Sequence, residues 1–291
     1  MTTRPLIHVV HGLLMGAADS VPGVSGGTVA LAVGIYERLL ASIGAAFKSG
    51  IMLIRGDVEG FRTRLGEVEW RMVVPLLAGI ATALVVAAAG IETFLERFPS
   101  QSRALFLGMV AASITIPLRR ILHRSSRQIL PGLAAAVIAY VLTGLPPGTV
   151  EDPSLVQVFL AAAVAICAMI LPGVSGAFLL LVLGMYTPTI AAVNDRNLLY
   201  VLVFMAGAAV GLGTFSLLLT AALTRHHDLT MAVLVGLMIG SLRALWPWQD
   251  ASRSLEAPPS AATGMAALGI AFVGLVIVLA VERWGSRAAL R

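Results

Sequence analysis

Long apolar segments separated by short polar loops run through most of the chain. The clearest are Met72 to Phe94, Leu198 to Leu223 and Thr263 to Val281. A helix needs about 20 residues to cross a hydrocarbon core of about 30 Å, and each of these segments is long enough. The pattern therefore predicts an all-α integral membrane protein.

One part of this pattern occurs twice. The segment ADSVPGVSGGTVALAVGIY (Ala18 to Tyr36) aligns with AMILPGVSGAFLLLVLGMY (Ala168 to Tyr186) at one constant offset, and both contain PGVSG. At a second constant offset, four small residues match four others: Gly79, Ala104, Gly108 and Ser113 with Gly207, Ala232, Gly236 and Ser241. These matches predict two repeats, 1–150 and 151–291, within one integrated membrane domain.

Each repeat is expected to contain one helical hairpin and about three spans. The expected elements of the first repeat are a hairpin over 6–47 and spans over about 72–95, 104–118 and 129–145. Those of the second are a hairpin over 155–193 and spans over about 198–223, 229–246 and 263–282. The span 104–118 is the weakest, because about 15 helical residues reach only about 22 Å.

The hairpins are predicted to be re-entrant and broken at their tips. The pairs Pro22-Gly23 and Pro172-Gly173 are expected to break the helix, since proline lacks an N–H and glycine tolerates strained dihedrals. Glu37 follows the first hairpin too soon for its second arm to cross a bilayer. A re-entrant hairpin returns to its own side while three spans do not, so the second repeat is predicted to be inverted relative to the first.

Composition and charge support a membrane location. The 291 residues are 58% hydrophobic and 12% charged, and the mean hydropathy is +0.92, which leaves too little polar surface for a soluble globule. The net charge of +5 does not indicate nucleic acid, because the basic residues lie in short loops beside apolar segments, where they set orientation. The single cysteine, Cys167, excludes an intramolecular disulfide.

The basic residues predict which loops face the cytoplasm. Both termini, the Lys48 to Arg71 loop and the loop with Arg119 to Arg127 are expected inside, and the N-terminus is expected to be retained. The basic residues expected outside are Arg97, Arg103, Arg196 and Arg253.

The segment after each PGVSG turn is a candidate anion site. A helix that starts there directs unpaired N–H groups and the positive end of its dipole at the turn. The groups that could contact phosphate oxygens are Ser25, Gly26, Gly27 and Thr28, with Ser175 and Gly176 from the second repeat. The alternative is that the serines are only N-caps and the glycines only permit close helix packing.

Three further polar residues are candidates for function. Asp19 lies in an apolar hairpin, where a carboxylate is costly, so it is a candidate for proton or cation coupling; alternatively it caps the broken helix or pairs with a cation. His11 is either a proton relay or a packing residue. Arg243 either binds phosphate through its fork of donors or extends to the interface beside Trp246 and Trp248. No metal-ligand cluster or Walker lysine motif is present, so no metal, cofactor or ATP-driven step is expected.

These motifs together resemble a known bacterial membrane family. They are the run GAADSVPGVSGGT (Gly16 to Thr28), GIYE at Gly34 to Glu37, the second PGVSG, and GSLR followed by WPW (Gly240 to Trp248). The chain resembles, over nearly its whole length, the polyprenyl-phosphate (undecaprenyl-phosphate) transporter family. In the second copy Ala177 replaces the second glycine, so the two hairpins are not expected to be equivalent.

The resemblance implies a non-enzymatic flippase of the cytoplasmic membrane, without a cofactor. Its substrate would be undecaprenyl phosphate, the lipid carrier of cell-wall precursors, which it would return from the outer to the inner leaflet for reuse. The implied partners are this lipid and the bilayer.

Two other functions stay open from the sequence. A small-anion carrier or channel would also use helix N-termini at mid-membrane, but it predicts a sealed aqueous vestibule, whereas a lipid substrate predicts a side opening between spans. Undecaprenyl-diphosphate phosphatases also have re-entrant hairpins, with an arginine after the motif serine and glutamates upstream. Gly26 and Gly176 follow the serines here, which disfavours hydrolysis.

Overall fold

The computed structural model describes residues 5–19, 25–123, 125–250 and 252–289, with side chains described outside 86–96 and 281–289. The regular structure of these residues is helical apart from one isolated bridge between Gln249 and Leu255. The helices are α1 (Pro5–Asp19), α2 (Gly26–Ala32), α3 (Tyr36–Ile54), α4 (Val58–Gly66), α5 (Trp70–Arg97), α6 (Pro99–Ser113), α7 (Thr115–Arg120), α8 (Ser126–Thr143), α9 (Leu155–Ile170), α10 (Gly176–Val182), α11 (Tyr186–Asn194), α12 (Leu198–Arg225), α13 (His227–Ser241), a 3-10 turn (Leu242–Leu245) and α14 (Ala261–Ala289).

Several of these helices can cross a membrane, which confirms the predicted all-α membrane fold. Five segments of the described chain are long and apolar enough: Pro99–Arg120, Ser126–Thr143, Leu198–Arg225, His227–Leu245 and Ala261–Ala280. Two bent helix pairs also qualify when each is taken together: α4 with Trp70–Val85, bent by 73°, and α10 with α11, bent by 106°.

The span predicted to be weakest is longer than the sequence pattern indicated. It begins at Pro99, where proline fits the first helical position because an N–H there would have no intrahelical partner. Ser102 donates to the Phe98 carbonyl at 2.6 Å, which satisfies a hydroxyl in the first turn. The polar residues 100–103 interrupt the apolar pattern, so hydropathy alone placed the start at Ala104. With α7, the span has 22 residues.

A similar order of elements follows each PGVSG segment. A seven-residue helix, α2 or α10, ends in a bend whose glycine adopts a positive φ: +77° at Gly34 and +73° at Gly184. Glycine adopts this conformation without steric cost, so the bend directs the chain into α3 or α11. α1 packs along α5 as α9 packs along α12, and α6 packs along α14 as α13 packs along α8. The inverted orientation of the two halves stays a prediction.

The largest buried cluster joins the first hairpin to helices of the second half. Leu31 of α2 and Tyr36 of α3 belong to the same cluster as Leu219 of α12 and Met231 of α13. Ile170, the last residue of α9, belongs to it as well. The core therefore lies where the two hairpins approach each other.

Candidate functional site at the hairpin tips

The first helix after a PGVSG turn is capped by the motif serine. Ser25 has an extended backbone (φ −128°, ψ 135°), and its Oγ accepts a hydrogen bond from the Gly27 amide at 3.1 Å. The same hydroxyl donates to the Met169 carbonyl at 2.8 Å, and Ser25 is only 1% exposed. Ser25 is therefore both an N-cap and a link to the second hairpin.

The Asp19 carboxylate lies at the N-terminus of α2. Its Oδ1 accepts a hydrogen bond from the Gly26 amide at 2.7 Å. A Cβ added at Gly26 would lie 2.5 Å from the other carboxylate oxygen, so only glycine permits this approach. The positive end of a helix dipole attracts an anion, and in this structure the protein's own carboxylate takes that place. This contact is the capping role that the sequence left as an alternative for Asp19.

The tips of the two hairpins contact each other directly. The Gly173 amide donates to Thr28 Oγ1 at 2.9 Å, and the Tyr36 hydroxyl donates to the Ile170 carbonyl at 3.0 Å. A Cβ added at Gly27 would lie 2.4 Å from the Ile170 carbonyl oxygen, so the backbones come unusually close. Thr28 and Tyr36 are 4% and 2% exposed. We call these contacts, together with Ser25–Met169, the tip junction.

The second tip differs from the first in chemistry. Ser175 Oγ accepts from the Phe178 amide at 3.3 Å, as an N-cap. Met169 occupies the place of Asp19 in the sequence alignment and packs against Gly176, where an added Cβ would lie 2.4 Å from its Cγ. The amides of Gly176 and Ala177 have no acceptor among the described residues. One tip therefore contains a bound carboxylate, and the other has an apolar side chain beside two open amides.

The structure thus brings most of the predicted hairpin residues together. The group comprises Asp19, Ser25, Gly26, Gly27, Thr28, Pro172, Gly173, Ser175 and Gly176. Pro22 and Gly23 lie outside the described residues. Gly173 has φ +82° and packs against Met238 and Ser241 of α13, so the second tip also contacts a span. Phosphate binding by this group stays a prediction, since the first-tip donors are bonded within the protein.

Arg243 contacts other parts of the chain. Its Nη1 donates to the Tyr140 carbonyl at 3.3 Å, and its Nη2 donates to the Arg253 carbonyl at 3.3 Å. The guanidinium lies 4.6 Å from the centre of the Tyr140 ring, while its buried Nε has no partner among the described residues. These contacts fix the end of α8 to the loop before α14. A direct phosphate contact by Arg243 stays a prediction.

His11 lies on α1, eight residues before Asp19 and therefore about 12 Å along the helix. Its ring packs edge-to-face on His8 with centroids 5.7 Å apart, and its Nδ1 has no hydrogen-bond partner among the described residues. Its proton-relay role stays a prediction. No group of three or more His, Cys, Asp or Glu side chains in the described chain is placed to hold a metal ion.

Tyr36 was not among the site residues predicted from the sequence, and Arg103 and Arg253 were predicted only as basic residues that lie outside the cytoplasm. The signal for Tyr36 was present, because a tyrosine ends both aligned segments. In the structure Tyr36 is buried in the tip junction, whereas Tyr186 is exposed. Arg253 lies with its guanidinium 4.3 Å from the centre of the Phe178 ring, in the first turn of α10. Sequence spacing gives no sign of this contact.

Comparisons with known proteins agree with the resemblance seen in the motifs. Residues 15–262 match the model of the undecaprenyl phosphate translocase-like family. A polyprenyl-phosphate transporter of Vibrio cholerae serotype O1 is 39% identical over 249 residues, which cover 86% of this chain and 80% of that protein. A polyprenyl-phosphate transporter of Staphylococcus aureus is 26% identical over 258 residues, covering 83% of this chain and 86% of the relative. No solved structure matches the chain significantly.

Proposed function

Because the chain belongs to the undecaprenyl phosphate translocase-like family, we propose that it is a flippase for undecaprenyl phosphate or a related polyprenyl phosphate. It moves the lipid from the outer to the inner leaflet of the bacterial cytoplasmic membrane, where the carrier is used again. Both termini then face the cytoplasm. The relatives' name, polyprenyl-phosphate transporter, supports the substrate class and a function other than catalysis.

The observation that carries the proposal is the tip junction. Two broken hairpins from the two halves of the chain meet through Ser25–Met169 and Gly173–Thr28 within a set of apolar spans. Broken helices that meet in the membrane are the usual construction of substrate sites in secondary transporters. The headgroup would be passed from one tip to the other, with Ser25 to Thr28 on one side and Ser175 and Gly176 on the other. Access to the first tip requires that phosphate displace the Asp19 carboxylate from the Gly26 amide.

An apolar groove between spans favours a lipid over a small ion. A cavity of about 580 Å³, open to the surface of the described chain, lies between α7, α8 and α13. Most of its lining is apolar, with Ile129, Leu133 and Val235 among the contributors, and Ser126 and Gln128 lie at one end. A prenyl chain can lie in such a groove while its headgroup stays beside polar residues. A small anion would not bind in an apolar opening of this kind, because it is hydrated and makes no favourable contact with apolar side chains.

A proton or a cation is the coupling partner that best fits the chain, with no cofactor. An anion that moves across a membrane needs charge compensation, and Asp19 is the carboxylate at the tip junction. Protonation of Asp19 would weaken its hydrogen bond from the Gly26 amide, and so would make that donor easier for the phosphate to reach. His11 is the candidate relay on the same helix.

The test is a flip assay in liposomes that contain a polyprenyl phosphate in both leaflets. A headgroup-binding probe added outside reports the exposed fraction over time, for wild type, Thr28→Val and Thr82→Val. Thr28→Val keeps the side-chain shape but removes the acceptor of the buried Gly173 amide, so we expect a flip rate lower by about tenfold, equivalent to about 1.4 kcal/mol. Thr82→Val, on an exposed threonine of α5, is the matched control and should behave like wild type.

Inorganic phosphate flux is measured in the same liposomes. Lipid movement by wild type with no flux of inorganic phosphate supports the flippase. Flux of inorganic phosphate without lipid movement would establish a small-anion carrier instead. Release of inorganic phosphate from the lipid would establish a phosphatase.

A further inference from the structure

Two half-buried arginines lie on neighbouring elements, on the side of the molecule predicted to face outward: one is on α6, and the other is on the loop that follows the 3-10 turn packed against α6. Arg103 is in the second turn of α6, and Arg253 is in the loop between the 3-10 turn and α14. Neither guanidinium has a hydrogen bond or an ion pair with another described residue. An arginine that is withdrawn from water normally has an anionic partner, so this pair is unusual.

The Arg253 guanidinium stacks on an aromatic ring of the second hairpin. Its Cζ lies 4.3 Å from the centre of the Phe178 ring. A cation–π contact of this kind does not use up the N–H donors of the guanidinium, so they stay available for a ligand. Phe178 is the third residue of α10, and its amide is the one capped by Ser175. Arg253 therefore lies within one helical turn of the second PGVSG tip.

The loop fixes Arg253 in an uncommon backbone conformation. Its φ is +64°, a value that residues other than glycine rarely adopt. The Arg253 amide donates to the Asp250 carbonyl at 3.0 Å, and the Ser254 amide donates to the Asp250 carboxylate at 2.7 Å. Arg243 holds the Arg253 carbonyl from the other side at 3.3 Å. These contacts hold the Arg253 backbone in place, and the hydrogen bond from Arg243 distinguishes it from Arg196, which also has a positive φ of +54°.

The electrostatics of the pair favour an anion. Burial and the nearby positive charge of Arg103 lower the pKa of the Arg253 guanidinium. Asp250 is the nearby carboxylate in the loop, but it accepts hydrogen bonds from Ser252 and Ser254. Two uncompensated like charges in a partly buried place repel each other, and a bound anion would remove that repulsion.

We propose that Arg103 and Arg253 bind a phosphate monoester headgroup on the outward side, with Phe178 as the stacking platform and Arg243 as a positioning residue. A phosphate monoester carries a charge of about −1.5 to −2 at neutral pH and can accept paired hydrogen bonds from each guanidinium. The site captures the lipid one helical turn from Ser175, before the headgroup enters the tip junction. This inference rests on the proposed function for its lipid, while the anion chemistry is independent of it.

Binding to the purified full-length protein in detergent tests the site with three ligands. These are a short-chain polyprenyl monophosphate, the polyprenol of the same length, and inorganic phosphate. We expect wild type to prefer the monophosphate to the alcohol, and the R103Q/R253Q double variant to bind the monophosphate at least tenfold more weakly with unchanged affinity for the alcohol. Arg196→Gln, at an exposed arginine on the same predicted side, is the matched control and should leave all three affinities unchanged.

The outcomes separate this site from the proposed function. Wild-type affinity for the monophosphate in the double variant would overturn the arginine site and leave the flippase standing. Arginine-dependent binding of inorganic phosphate, with no preference for the lipid, would support the anion site and overturn the lipid assignment.

A second measurement applies if the double variant does not fold. In wild type, the monophosphate should protect Arg103 and Arg253 from an arginine-modifying dicarbonyl, as read by mass spectrometry, and the alcohol should not. Equal modification with and without the monophosphate would overturn the site.

Discussion

At the scale of single residues, the two hairpin tips have similar backbones, but their helix N-termini differ in whether a side chain of the protein already occupies the anion position. In the first tip the Gly26 amide is bonded to Asp19 at 2.7 Å, so a phosphate must compete with an internal carboxylate. In the second tip Met169 stands in place of the acid, and the Gly176 amide has no acceptor among the described residues. A headgroup would bind the second tip without competition, and would enter the first only when Asp19 moves or is protonated.

Replacement of Asp19 by asparagine separates its charge from its hydrogen bond. In Asp19→Asn the side-chain carbonyl oxygen can still accept from the Gly26 amide but cannot titrate, so we expect a folded protein whose flip rate depends less on pH than that of wild type. The measurement is the liposome flip assay between pH 5.5 and 8, for wild type and variant. Unchanged pH dependence in the variant would remove Asp19 from the coupling step.

At the scale of helices, glycines set the closest crossings. A Cβ added at Gly79 would lie 2.2 Å from the Val9 carbonyl oxygen, and one at Gly207 would lie 2.2 Å from that of Phe159. The sequence alignment pairs these two glycines, and they make equivalent contacts, α5 on α1 and α12 on α9. Small residues at such crossings permit the close van der Waals packing that replaces the hydrophobic effect between helices in lipid.

Gly207→Ala should therefore weaken the packing of α12 on α9. The added methyl group meets backbone, which cannot rotate away, and overpacking of this kind costs about 1–3 kcal/mol. The expected result is a lower midpoint of thermal unfolding in detergent. Gly269→Ala in α14, where an added Cβ meets nothing within 4 Å, is the matched control. An equal midpoint for both variants would show that this crossing does not limit stability.

A salt bridge joins the start of α3 to the start of α5. Arg38 Nε donates to both carboxylate oxygens of Glu69 at 3.1 Å, and these hydrogen bonds lower the pKa of Glu69. The contribution of this salt bridge to the free energy of unfolding is therefore complete above the unfolded-state pKa of glutamate, about 4.3. It is lost as the pH falls through the lower native pKa of Glu69. Both side chains are about two-fifths exposed, 42% and 41%, so the effect is small, about 0–1 kcal/mol.

The variant Glu69→Gln tests whether the Arg38–Glu69 salt bridge loses its contribution to stability as the pH falls. Between neutral pH and acid, the unfolding midpoint of wild type should fall more than that of the variant, because the variant has no charge to lose at this position. Arg64 and Glu67 form a comparable exposed pair at the C-terminal end of α4, so Glu67→Gln is the control for a pair that does not join two helices. A larger fall of the unfolding midpoint in Glu69→Gln than in wild type would contradict a stabilising role for the Arg38–Glu69 salt bridge.

At the scale of the whole molecule, the function depends on how the two halves are oriented. In the predicted inverted arrangement, the two hairpins would reach the tip junction from opposite sides of the membrane, and each tip would serve one leaflet. Parity of the predicted spans and the distribution of basic residues both support this inverted arrangement.

Cysteine labelling in a variant without Cys167 tests the orientation. We expect a membrane-impermeant maleimide to label Glu151→Cys in intact cells, and Arg62→Cys only after the membrane is permeabilised. Both positions are exposed, so accessibility to the reagent is not limited by burial. Labelling of both from the same side would exclude the inverted arrangement and the passage of a headgroup between opposed tips.

Features that depend on local physical chemistry could be predicted from the amino-acid sequence. Apolar length predicted that several helices could span a membrane, and the motif serines were predicted as possible N-caps of α2 and α10. Pro172-Gly173 was predicted to break the second hairpin, and Gly173 has a positive φ of +82°. These follow from the cost of unpaired backbone groups in lipid and from the dihedral preferences of proline and glycine. The motifs also indicated the family, because together they matched its pattern over nearly the whole chain.

The contacts between distant groups could not be predicted from the sequence. Thr28 and Gly173 are 145 residues apart, Arg243 and Tyr140 are 103 apart, and Arg253 reaches Phe178 from a separate loop. The sequence showed a carboxylate at Asp19 in an apolar hairpin, but not that it would cap α2. Such contacts depend on the packing of distant helices, and hydropathy or local propensity holds no information about the partner that a side chain finds across that distance.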